Sequence, residues 1–223
     1  MSVSPLPSLV ASRHRDRLST DPAVIRGILR SAMIAHVGFV RDGWPVVLPF
    51  HYGLADLGDG QDEQLVIHGS AGGRAFLDAA GDKGVRVSVA VTLNDGLVLG
   101  RSAYDTGAHY RCVVAYGYAR LVPPELRPLA LDRLLDHIVP GRRAEVRAST
   151  PKEIAATALL AIPLDHASAK VAVTSTGETP GDGEDRRVWA GVVPFSQRAG
   201  GPVAAPETEF PDDLPPSVRA LLA

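Results

Sequence analysis

Apolar residues recur along this chain in two rhythms, and the switches between them mark out its elements. Val24, Ile25, Ile28 and Leu29 share one helical face behind Thr20-Asp21-Pro22. There a side-chain oxygen can cap free N–H groups and proline can take the first helical position, so a helix is predicted. Residues 33–40 and 44–54 alternate as strands do, and Arg41-Asp42-Gly43 between them is a hairpin signal because Asp and Gly accept positive φ. Residues 56–62, rich in Gly and Asp, predict a surface loop. Residues 64–68 predict a short strand that runs into Gly69-Ser70-Ala71-Gly72-Gly73-Arg74, then a short helix over 73–80 with Gly81 as a left-handed cap. Strands follow at 85–93, 97–101 and 110–122, with Asn94-Asp95-Gly96 as a tight turn between the first two.

Pro123-Pro124 stops this meander, and Leu126, Leu129, Leu134, Leu135 and Ile138 give residues 125–138 the spacing of an amphipathic helix that Pro140-Gly141 ends. Thr150-Pro151-Lys152-Glu153 matches a capping box and opens another helical piece. Closing strands are expected at 160–164 and 169–173, a polar Gly-rich connection at 174–187 and a last apolar segment at 188–194. Many antiparallel strands with a few outer helices favour a small closed barrel. The expected division is an N-terminal extension over 1–19, one domain over 20–195, and a tail over 196–223 that is disordered or docked by its last leucines.

Composition narrows the function classes. A chain of 223 residues buries one substantial core. A formal charge of -2 supplies no basic field for nucleic acid or an anionic bilayer. No apolar run approaches the roughly 18 to 20 residues a membrane span needs, and the polar start around Arg13, His14, Arg15 and Arg17 does not lead into one. The single cysteine, Cys112, lies in an apolar run, which fits a reducing cytoplasm. The seven histidines have no metal-ligand spacing, so no metal site is expected, and no nucleophile elbow is present.

The chemistry that stands out is anion binding. A strand ending at His68 delivers Gly69, Ser70, Gly73 and Arg74 to a helix start, where N–H groups, a hydroxyl and an arginine fork can hold a phosphate. An ordinary strand-to-helix turn with an exposed arginine is the other reading. Arg101-Ser102 and Tyr110-Arg111 flank a second loop; Arg101 and Arg111 either join one anion site or decorate the surface. His51 follows Pro49-Phe50 in a strand where Val46, Leu48 and Phe50 alternate with Val47, Pro49 and His51. Proline in a strand implies an edge or a break in the ladder, which leaves room for a ligand to approach; a hydrogen-bonded histidine at the barrel rim is the other reading of His51.

The ordered string of motifs resembles the pyridoxamine 5'-phosphate oxidase-like superfamily, in particular its nitroimidazole-resistance (Nim)-like flavin-nucleotide-binding branch. The residues that carry it are His36-Val37-Gly38-Phe39-Val40, Asp42-Gly43-Trp44-Pro45, Pro49-Phe50-His51-Tyr52-Gly53, His68-Gly69-Ser70, Val91-Thr92, Asp95-Gly96-Leu97-Val98-Leu99, Arg101-Ser102, Tyr110-Arg111-Cys112, Pro140-Gly141-Arg142, Ser168-Ala169-Lys170-Val171 and Val188-Trp189-Ala190-Gly191. The resemblance implies a mainly β (α+β) fold, a six-stranded antiparallel split β-barrel with flanking helices. It also implies a homodimer with FMN in clefts at the interface. Ser70 and Arg74 would grip the phosphate with Arg111, residues Val47, Leu48, Pro49, Phe50 and His51 would lie along the flavin ring with His51 toward a small-molecule substrate, and Trp189 would enter the cleft. The loop Ala103-Tyr104-Asp105-Thr106-Gly107-Ala108-His109 departs from the Nim-like pattern, and the closing arginine motif of true pyridoxamine 5'-phosphate oxidases is missing. The function this implies is an FMN-dependent oxidoreductase taking electrons from a reduced nicotinamide or similar donor. The alternative is a flavin, haem or deazaflavin binding or sensing protein on the same barrel, with His51 or His109 as axial ligand for haem.

Overall fold

A computed structural model describes residues 6–9, 14–58, 60, 62–70, 73, 81, 83–172 and 185–223. Its elements run β1 (Leu18–Ser19), α1 (Pro22–Arg30), β2 (Ile34–Arg41), β3 (Trp44–Ala55), β4 (Gln64–Ser70), β5 (Val85–Leu99), β6 (Gly107–Leu121), α2 (Arg127–Ile138), α3 (Pro151–Ala156), β7 (Thr157–Ile162), β8 (Ala167–Ala172), β9 (Gly191–Pro194) and α4 (Pro216–Leu222). The hydrogen-bonded order is β1-β8-β6-β7-β4-β3-β2-β5-β9 with a further β6–β5 pairing, which closes a ring of six strands. The six-stranded antiparallel fold expected from the sequence is present. The chain groups into two compact units, one of Met1–Leu48, Val87–Gly117 and Asp165–Ser196, the other of Pro49–Arg86, Tyr118–Leu164 and Gln197–Ala223.

In the first unit, the Asp21 side chain accepts from the Ala23 N–H at 2.8 Å and Pro22 opens α1, which buries Ile25, Ile28 and Leu29 and packs on β8. The β2–β3 turn has Asp42 at φ 51 and Gly43 at φ 80, as the Asp-Gly signal predicts. β8 pairs with β6 from Tyr110↔Ala172 to Ala115↔Ala167. The expected turn at Asn94-Asp95-Gly96 does not form: β5 runs unbroken through all three residues. Tertiary pairing overrides the local signal, because β9 pairs along Gly96↔Pro194 to Leu99↔Gly191 and the Asp95 carboxylate is held by Arg111 on β6. Gly96 is needed for close approach, since a Cβ there would lie 2.5 Å from the Val193 carbonyl oxygen.

In the second unit, β3 pairs with β4 from Tyr52↔Ile67 to Ala55↔Gln64, and β4 pairs with β7 along its length. Ala55, Leu57, Val66, Val122, Ala130, Leu159 and Ala161 form a buried cluster against which Leu126 and Leu131 pack. The helix expected over 125–138 starts as a 3-10 turn, Pro124–Leu126, before α2 proper, and buries Ala130 and Leu134 while Leu129 stays exposed. α3 carries the predicted capping box, with the Glu153 N–H donating to the Thr150 hydroxyl and the Thr150 N–H to the Glu153 carboxylate. Gly81 is not the left-handed cap; that conformation belongs to Gly84, at φ 66. The helix expected over 73–80 lies outside the described residues apart from Gly73, as does position 173 of the last predicted strand. The tail ends in α4, fastened by Ser217, which is buried, while Leu221 and Leu222 stay exposed. Of the last leucines, Leu214 is half-buried, and a polar anchor at Ser217 also holds the helix.

Candidate functional site

Within the second unit, the sequence-predicted residues gather where two strands part. The β3–β4 register stops at Tyr52↔Ile67, whereas β4 continues against β7 as far as Ser70↔Thr157. His51 and His68 stand just past the last registered pair. Pro49 and His51 are exposed and Phe50 is half-buried, so this stretch of strand presents backbone and side chains outward. At the end of β4 the chain turns back, with the Gly73 N–H donating to the Ser70 carbonyl at 2.8 Å; Gly69 is half-buried and Ser70 exposed beside that turn. Arg74 lies outside the described residues.

His68 has a second setting. Its side chain borders a cleft of about 200 Å³ whose wall is Leu131, Leu134, Leu135 and Ile138 of α2, with Asp132, Arg143, Arg147 and Ser149 at its polar end. The residue shows surface to solvent, yet its ring is partly desolvated against this cleft. That burial first, and the charge of His51 second, hold the His68 imidazole below the usual histidine range. The ring is therefore unprotonated at neutral pH and offers a nitrogen lone pair. The arginines at the cleft are held in place by carboxylates: Arg143 Nε donates to Asp132 at 2.7 Å, and Arg147 grips Glu153 through two bonds of 2.8 and 2.6 Å. α2 itself is fixed to β3 by the Tyr52–His137 ring contact, centroids 4.7 Å apart, and by Gly53, whose missing Cβ lets the α2 backbone approach.

The remaining predicted residues belong to the first unit. Val47 and Leu48 are exposed apolar residues on β3. Arg111 gives Nε and Nη2 to the two Asp95 oxygens at 2.8 Å each, and this hydrogen-bonded pair lowers the Asp95 pKa. Arg101 Nε donates to the Val188 carbonyl at 3.1 Å, tying down the closing segment. The two arginines thus have different protein partners. Tyr110 accepts a short hydrogen bond from Lys170 Nζ, a pairing across β6 and β8 that sequence spacing did not foreshadow. Trp189 is 63 % exposed and folds back over Gly191. His109 is buried, and burial raises the Cys112 thiol above its usual range, which leaves it a poor nucleophile. The sequence reading missed the cleft because its wall comes from residues more than sixty positions beyond His68; the apolar face of α2 was the only available signal.

The comparisons agree with this architecture. Residues 21–171 match the family model described as pyridoxamine 5'-phosphate oxidase. The FAD and haem binding protein from Mycobacterium smegmatis is 36% identical, with a TM-score of 0.80, over 92% of this chain and 97% of that one. A flavocytochrome from Azotobacter vinelandii is 27% identical, with a TM-score of 0.81, over 96% of both chains. A 5-nitroimidazole antibiotic resistance protein from Bacteroides thetaiotaomicron, described as putative, shares the fold at 18% identity and a TM-score of 0.53, over 69% of this chain and 86% of that one. No curated protein matches the chain.

Proposed function

The chain belongs to the pyridoxamine 5'-phosphate oxidase family, and on that premise we propose that it is a flavin-binding redox protein passing electrons from a reduced nicotinamide or similar donor to a small acceptor. The observation that carries this reading is the parting of β3 and β4 beside His51 and His68, next to the turn at Ser70 and Gly73. Beyond the last registered pair the exposed Pro49 and His51 give a ligand ring a strand to lie along, and the exposed Ser70 hydroxyl beside Gly73 suits a phosphate. A bound flavin supplies the hydride and electron chemistry itself. This chain's residues bind and orient: Ser70, with Arg74, holds the phosphate, the strand at residues 49–51 lies beside the ring, and His51 meets the substrate. FMN is the form implied by the family resemblance; the 36% identical relative makes FAD the form to test beside it. Exposed Val40, Trp44 and Val47 support a homodimer as the working assembly.

The phosphate assignment is tested by Ser70→Ala combined with Arg74→Ala. Affinity for FMN and for FAD should fall roughly 30- to 1000-fold, about 2–4 kcal/mol, because charge-assisted hydrogen bonds are lost. Isothermal titration showing unchanged affinity would remove both residues from the phosphate site.

A second cofactor is favoured by the His68 cleft. An unprotonated imidazole is the ligand form that haem iron takes, leucine and isoleucine side chains suit a macrocycle edge, and arginines suit its propionates. The relative described as binding FAD and haem supports the same reading. His68, which the sequence reading placed with the flavin, then replaces His51 and His109 as the preferred axial residue. The flavin and a haem would make this chain a flavocytochrome.

A further inference from the structure

We propose that the C-terminal segment is a strap that fixes the arginine-bearing wall of the His68 cleft, fastened by a clasp between Ser217 and Glu145. Residues 197–213 are exposed throughout and form neither helix nor strand. The chain then docks at α4, where Ser217 is 4% exposed. Its N–H donates to Glu145 Oε1 at 2.8 Å and its hydroxyl donates to Glu145 Oε2, which also accepts from Arg142 Nη1 at 3.0 Å. A serine with both donors spent on one carboxylate, buried at the end of an exposed segment, is a specific fastening.

The position of Glu145 gives the clasp its consequence. It follows the 3-10 turn Arg142–Ala144 and sits between Arg143 and Arg147, which both border the cleft. That short wall is held by α2, through Arg143 to Asp132, by α3, through Arg147 to Glu153, and by α4, through Glu145 to Ser217. Release of α4 removes the restraint at Glu145, midway between the two arginines, and leaves the wall held only through Asp132 and Glu153, so residues 142–147 open more often. The strap lies beyond the family match at residue 171, yet the relatives covering 92% and 96% of this chain leave too few residues unmatched to omit the whole C-terminal part. The nitroimidazole-type structure covers only 69%. Part of residues 197–223 thus lies in the region matched by the longer relatives.

What the cleft holds rests on the haem reading above; the strap itself does not. The experiment uses full-length protein loaded with flavin and haem, comparing wild type, Ser217→Ala and Glu145→Gln by hydrogen exchange and by haem transfer to a scavenger globin. In both variants exchange should speed by about tenfold or more at residues 216–222 and also at 142–147, since a hydrogen bond to a charged group is lost from a local opening equilibrium. Haem should leave about tenfold faster while flavin dissociation stays within about twofold. Unchanged exchange at 216–222 would mean that the clasp does not fasten α4. Faster exchange there with 142–147 and haem loss unchanged would mean that the strap holds no wall. If the protein takes up no haem, the haem reading fails, and the exchange at 142–147 alone decides for or against the strap.

Discussion

Gly53→Ala should lower stability by about 2–3 kcal/mol, a fall of roughly 4–12 °C in Tm for a chain of this size. A Cβ at this position would lie 2.6 Å from Leu134 Cα, 2.9 Å from Leu134 N and 3.1 Å from the Arg133 carbonyl oxygen. These are backbone atoms of α2, so no rotamer change relieves the clash. Either β3 bends away or α2 lifts, and lifting α2 draws Ala130 and Leu134 out of the core they fill. The same helix carries the apolar wall of the cleft, so ligand retention should fall with stability. Gly27→Ala on α1 is the matched control: nothing lies within 4 Å of its Cβ, and the change should be neutral or stabilising by up to about 1 kcal/mol. Thermal unfolding of the three proteins checks the contrast. Equal Tm values for wild type and Gly53→Ala would show that α2 does not press on β3 as described.

His68→Ala should abolish stable haem uptake, with affinity reduced at least about 100-fold, while flavin affinity changes little by comparison. The imidazole is prepared for coordination by its surroundings: burial and the neighbouring His51 keep it unprotonated, and an uncharged nitrogen is what a metal takes. His51→Ala removes one cause of that shift and leaves the other, so haem uptake should persist at neutral pH while its loss on acidification begins at a higher pH than in wild type. The readout is the Soret band after gel filtration of protein mixed with haem. A band undiminished in His68→Ala would take the axial role away from this residue.

The parts of this structure that were legible in the sequence are those with local causes. Asp21 and Pro22 at the start of α1, the Asp42-Gly43 turn, and the Thr150–Glu153 box each act within four residues and appear as predicted. The strand rhythm was also visible, because burial of one face imposes it. Asn94-Asp95-Gly96 misled for the same reason: its turn chemistry is local, but the outcome was set by β9 and by Arg111, sixteen residues beyond Asp95. At the site, the outward strand at 49–51 and the turn after Ser70 could be read. The His68 cleft and the Ser217–Glu145 clasp could not, since each joins residues with no periodic or spaced relation to one another.

The central claim, a flavin held by this family member, is tested most directly by an absorption spectrum of full-length protein mixed with FMN or with FAD and then freed of unbound ligand by gel filtration. The account predicts that at least one of the two nucleotides co-elutes with the protein, shows the two visible bands of an oxidised flavin, and is bleached by dithionite. A colourless protein that keeps neither nucleotide would contradict it, and would leave the fold standing without the function argued for it.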